Sequence, residues 1–98
     1  MDLFALAPAN PTVCQMIMEQ CNNADKMDYA IAFFEKAVKK YATDTKACEN
    51  LYFHYAYQYS IMGNKEMAAK MAKTARTYFE KNGSLTDKIS EMLDDLAN

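Results

Sequence analysis

Four side chains in this sequence carry metal-ligand or nucleophile chemistry: Cys14, Cys21, Cys48 and the single histidine, His54. A tetrahedral zinc site needs four convergent ligands, commonly delivered in close pairs of the C-x-x-C kind. Cys14 and Cys21 are seven positions apart, and Cys48 and His54 are six apart, so no such pair exists. A thiol nucleophile working with His54 would need a third group to orient the imidazole, and no recognisable loop supplies one. Cys14 and Cys21 fall instead on the apolar stripe of a helix, where a buried cysteine behaves as a small hydrophobe. Gly63 and Gly83 both fit helix ends, which leaves no glycine-rich loop to cradle a phosphate. The sequence therefore predicts a non-enzyme without metal or cofactor.

The elements that must position these residues are five helices. Asn10 followed by Pro11 offers an N-cap and a proline at the first helical position, where its missing N–H costs nothing. Cys14, Ile17, Met18 and Cys21 then recur at i, i+3, i+4 and i+7, before Asn22 and Asn23 break the pattern. Asp25 is placed to cap a second helix carrying Met27, Ala30, Ile31, Phe34, Ala37, Val38 and Tyr41 on one side. Lys36, Lys39 and Lys40 lie near its C-terminal, electronegative end.

Residues 43–45 restart the chain into a third helix running to Met62, with Tyr52, Tyr55, Ala56 and Tyr59 as its stripe. The aromatic stretch 51–59 also alternates in the manner of a strand. It has no hairpin partner, and Gly63 suits a helix C-terminus, so helix is preferred. A fourth helix covers 65–81 and buries Ala68, Met71, Ala72, Ala75, Tyr78 and Phe79, with Glu66 and Lys70 spaced as an i, i+4 pair. Ser84 and Asp87 read as a capping box for a last helix with Leu85, Ile89, Met92, Leu93 and Leu96 on one face.

The chain has 98 residues, too few for two independent cores. Residues 1–10 are expected to form an N-terminal arm, 11–83 two helix hairpins (11–42 and 44–82), and 84–98 a closing helix of one domain. Hydrophobic residues are 51% and charged residues 24%, which excludes global disorder. A net charge of −2 argues against nucleic acid or an anionic membrane as the main partner. No apolar run reaches the length of a bilayer span, and no positive leader accompanies the apolar start, Leu3, Phe4 and Leu6. Those three residues are read as docking on the body, with a ligand segment as the alternative. Three cysteines are an odd number and suit reduced thiols, so a cytoplasmic protein is expected. Lys36, Lys39, Lys40, Lys70, Lys73 and Arg76 gather on the second and fourth helices as a basic face, read as solvated, with contact to an acidic protein or RNA as the alternative.

One offset of 38 residues relates the two helix pairs. It superposes Cys14, Ile17, Met18 and Cys21 on Tyr52, Tyr55, Ala56 and Tyr59, Asp25 on Gly63, and Ala30, Phe34 and Ala37 on Ala68, Ala72 and Ala75. On these residues the chain resembles the tetratricopeptide repeat family. Tyr52, Tyr55, Ala56, Tyr59, Gly63, Ala68 and Ala75 match consensus positions of that family, and residues 29–38 look very like its second helix. The resemblance covers 11–81, and 82–98 look like the extra helix that closes such arrays. It implies an all-α, right-handed helical-hairpin repeat array of two such units plus a C-terminal capping helix. Departures are plain. The family repeat is about 34 residues, so an extra turn is expected near 43–47. Ala42 and Thr43 replace the proline between repeats, and Arg76 stands where the family prefers an aliphatic side chain, which predicts a rotated or partly exposed fourth helix.

Such arrays line a concave surface with the first helix of each pair. The resemblance places Gln15, Glu19 and Asn22 on that surface, with Phe53, Tyr57 and Ser60 as their equivalents and His54 close by. The third helix thus carries two aromatic stripes, more than one helix ordinarily buries against its neighbours. Phe53 and Tyr57 either serve as binding anchors or pack under the last helix or the arm. Family members that grip a C-terminal carboxylate use a lysine and asparagines here. Gln15, Glu19 and His54 occupy the matching positions, so that activity is not carried over. The expected function is a non-catalytic protein–protein interaction module: an adaptor, small chaperone or assembly subunit that binds an apolar or amphipathic partner segment, or that self-associates. Phe53, His54 and Tyr57 are read as anchors, and Gln15 and Glu19 as polar selectors. The alternative is a small inhibitor, of the type phages encode, that blocks the working surface of another macromolecule.

Overall fold

The computed structural model describes residues 11–97 and folds them into five α-helices with no strand among the described residues. They are α1 (Pro11–Asn23), α2 (Met27–Lys40), α3 (Thr45–Ile61), α4 (Lys65–Lys81) and α5 (Asp87–Ala97). The fold class is all-α, and the aromatic stretch of α3 is a single helix. The N-terminal arm and the Asn10 cap lie outside the described residues.

Three helix ends share one closure. Asp25 sits at φ 58°, Gly63 at φ 78° and Gly83 at φ 68°, the left-handed region that ends a helix with two crossed backbone bonds. The Asp25 and Lys26 N–H groups donate to the Asn22 and Cys21 carbonyls at 3.2 and 2.8 Å. Gly63 and Asn64 do the same to Ser60 and Tyr59 at 3.0 and 2.9 Å, so this closure recurs at the 38-residue offset. Asp25 is therefore not the cap of α2, as its side chain type suggests. Its backbone is used to terminate α1, and Lys26 precedes α2 without a side-chain cap. Asn22 and Asn23 continue α1 rather than breaking it.

Caps elsewhere follow the short polar side chains. Asp44 Oδ1 accepts from the Ala47 N–H, and Asn64 Oδ1 from the Met67 N–H, both at 3.1 Å. The last helix starts at Asp87 with Thr86 Oγ1 accepting from the Ile89 N–H at 3.2 Å, displacing the expected Ser84 cap. Ser84 is already committed, because its N–H closes α4 on the Phe79 carbonyl at 2.8 Å. Among the described residues the ion pair of i, i+4 type is Glu35–Lys39, not Glu66–Lys70.

Packing centres on α3, which touches all four other helices. One apolar cluster joins Cys14 and Met18 of α1, Phe34 and Ala37 of α2, and Ala47, Leu51 and Tyr55 of α3. A second joins Ala56 of α3, Ala72, Ala75 and Phe79 of α4, and Leu93 of α5. Ala56, Ala68, Ala72 and Ala75 are all buried, as close approach of α3 and α4 requires. Tyr52 bridges the clusters. Its ring stacks on Tyr78 at 5.6 Å and on Tyr55 at 6.3 Å, and Tyr55 stacks on Phe34 at 5.7 Å. The first aromatic stripe of α3 is thereby consumed in the interior.

Arg76 is half-buried and clamps α5. Its guanidinium donates to Ser90 Oγ at 2.8 Å, to the Ser90 carbonyl at 3.2 Å and to Asp94 Oδ1 at 2.7 Å. An arginine at this apolar-looking position fits because its fork finds acceptors on the closing helix. Met92, expected in the core, is 40% exposed, while Leu93 beside it is buried.

Candidate functional site

α1 and α3 meet along a seam with an offset of 36 residues. Asn50 Nδ2 donates to Cys14 Sγ at 3.2 Å, and Asn22 and Gln58 exchange amide hydrogen bonds at 3.0 and 3.3 Å. Between these pairs, at the same offset, Met18 lies level with His54. Asn50, His54 and Gln58 recur every four residues on α3 and are all buried, a polar column on the α1 side of the helix. No buried side-chain nitrogen or oxygen lacks a hydrogen-bond partner among the described residues.

This seam floors a concavity of about 320 Å³ lined by Gln15, Met18, Glu19 and Asn22 of α1, Phe53, His54, Tyr57 and Ile61 of α3, and Met92 of α5. An adjoining hollow of about 310 Å³ shares Gln15, Phe53, His54 and Met92 and extends to Glu49, Asn50, Phe79 and Ile89. The two hollows form one trough along α3, walled by α1 and α5.

Six of the seven residues expected on the inner surface line the first hollow; Ser60 does not. Ser60 is exposed at the end of α3, where its carbonyl accepts from the Gly63 N–H. The two aromatic candidates part company. Phe53 is half-buried, edge-on to Phe79 at 6.3 Å and packed against the α4–α5 cluster. Tyr57 is 46% exposed in the trough, beside Ile61 at 42%. His54 is 5% exposed, so it is floor rather than projecting anchor. Its Nδ1–H donates to the Asn50 carbonyl at 2.9 Å, which leaves Nε2 as the acceptor. Burial holds its pKa below the ordinary histidine value, against a smaller opposing effect of the Asn50 bond.

Sequence reasoning missed Ile61, Met92, Asn50 and Ile89. Ile61 stands four residues after Tyr57 and eight after Phe53, a helical spacing that extends the second stripe. Met92 and Ile89 were legible as apolar, but not as facing the trough.

Two of the three thiols, Cys14 and Cys48, are buried and poorly suited to chemistry. Burial pushes the Cys14 pKa up to about 12, only partly offset by the Asn50 hydrogen bond, and burial also raises that of Cys48. Cys48 Sγ donates to the Tyr41 carbonyl at 3.2 Å. Among the described residues no three His, Cys, Asp or Glu side chains converge as a metal site. No described helix is long and apolar enough to cross a membrane. No protein-family model, curated protein or solved structure matches the chain.

Proposed function

We propose that this chain is a non-catalytic protein-binding module of tetratricopeptide-like build, acting in the cytoplasm as an adaptor, small chaperone or assembly subunit. Its site is the trough between α1, α3 and α5, and its ligand is an apolar or amphipathic segment of another protein. The observation that carries this reading is the row Tyr57, Ile61 and Met92, each at least 40% exposed and all on one concave surface. A monomeric fold gains nothing by leaving three large apolar side chains clustered in water, whereas a partner helix laid between two walls would cover them. The matching closures at Asp25 and Gly63, 38 residues apart, support a helical-hairpin repeat.

Affinity capture from source-cell lysate tests the reading, using wild type and a Tyr57→Ser/Met92→Ser double variant of equal helicity by circular dichroism. Both residues are exposed, so the variant keeps its core. Capture of a partner by the wild type and its loss in the variant are expected. Equal capture by both would move the site to the lysine-bearing faces of α2 and α4.

A further inference from the structure

The charges around the trough are one-sided. Its lining includes two carboxylates, Glu19 and Glu49, and no lysine or arginine. Neither forms an ion pair; the pairs among the described residues are Glu35–Lys39 and Arg76–Asp94. Glu49 Oε2 accepts a hydrogen bond from Asn82 Nδ2 at 2.8 Å, which orients the carboxylate without neutralising it. On α5, Met92 is flanked by Lys88 at i−4, Glu91 at i−1 and Asp95 at i+3, so that rim is net negative as well. His54 adds no positive charge near neutral pH, because burial favours its neutral form.

The spacing of the two carboxylates can be read from the seam. The 36-residue offset sets Glu49 level with position 13 of α1, six residues before Glu19. At 1.5 Å per residue the two positions are offset by about 9 Å along the helix axes, one on the α1 wall and one on α3. The whole floor, from Glu49 to Ile61, is about 18 Å long, or some three helical turns. On an α-helix, residues seven apart share a face and are separated by about 10 Å.

Resting on the docking role proposed above, we infer that the trough takes a cationic amphipathic helix of about three turns, with lysine or arginine at i and i+7 and large apolar residues at i+3 and i+4. The basic residues meet Glu49 and Glu19, and the apolar pair covers Phe53, Tyr57 and Met92. Charge complementarity chooses this occupant over the others at hand. Residues 1–10 hold Leu3, Phe4 and Leu6 but no lysine or arginine, and their one charged side chain is Asp2.

Two labelled synthetic helical peptides, identical except for lysine or glutamate at i and i+7 around a leucine pair, decide the matter by fluorescence anisotropy against the full chain. The lysine peptide is expected to bind at least about tenfold more tightly at low ionic strength, with the preference shrinking as salt screens the pairs. A Glu19→Gln/Glu49→Gln variant should lose most of the lysine preference, because it keeps the shape and removes the two carboxylates of the lining, leaving only the weaker field of the α5 rim. Equal binding of the two peptides to wild type would overturn the charge rule while leaving the docking reading intact. Binding of neither, with residues 2–9 present or deleted, would overturn both. If deleting residues 2–9 were needed before either peptide bound, the chain's own arm would be the occupant. If light scattering showed a dimer that peptide failed to enter, a second copy would be, and either result overturns the inference.

Discussion

Asn22 and Gln58 hold α1 and α3 together through a reciprocal pair of amide hydrogen bonds, Gln58 Nε2 to Asn22 Oδ1 at 3.0 Å and Asn22 Nδ2 to Gln58 Oε1 at 3.3 Å. Gln58 is wholly buried, so its amide has no recourse to water if the partner is lost. Asn22→Leu or Gln58→Leu alone should therefore lower unfolding stability by about 1–3 kcal/mol. The double Leu variant replaces both polar groups and should cost less than the sum, with a coupling energy of about 1 kcal/mol or more in urea titrations. Strict additivity would mean that the pair contributes nothing as a pair.

Arg76 predicts a local rather than a global effect. Arg76→Met keeps an unbranched stem but removes all the donors that reach Ser90 and Asp94, and should cost about 1–2 kcal/mol. Asp94 is two-thirds exposed, so Asp94→Asn should cost well under about 1 kcal/mol. Hydrogen exchange should quicken across α5 in Arg76→Met while the amides of α3 stay protected. Uniform acceleration throughout the chain would contradict the clamp.

His54 makes stability depend on pH with a definite sign. Burial lowers its folded pKa below the ordinary value near 6.5, so the unfolded chain takes up the proton first as pH falls. Stability is full above pH 6.5 and is lost between that value and the lower folded pKa, with a slope of at most about 1.4 kcal/mol per pH unit for one proton. Thermal melts from pH 7.5 to 5 should show this decline, and His54→Gln should flatten it. The same slope in both proteins would assign the decline to the carboxylates instead.

Helix-by-helix architecture was readable because each stripe obeys a 3.6-residue period and each end carries its own chemistry. Cys14 and Met18, Phe34 and Ala37, Ala68, Ala72 and Ala75 lie in the core as their spacing requires. What misled was residue type at junctions. Asp25 has the side chain of a cap, but the turn needed a left-handed residue there, which aspartate tolerates better than most. Ser84 was likewise taken by the closure of α4.

Local pattern thus determined the number of helices, their apolar faces and a surplus of aromatic side chains on α3, since each depends on residues within a few turns of one another. Tertiary structure alone decided how that surplus was divided. Tyr52 and Tyr55 entered the stack between α2 and α4, Phe53 packed one side on the α4–α5 cluster and left the other lining the trough, and Tyr57 stayed exposed in the trough. The 36-residue register that buries Asn50, His54 and Gln58 also belongs to the packing. It is set by two helices meeting, and neither helix encodes by itself the level at which it meets the other.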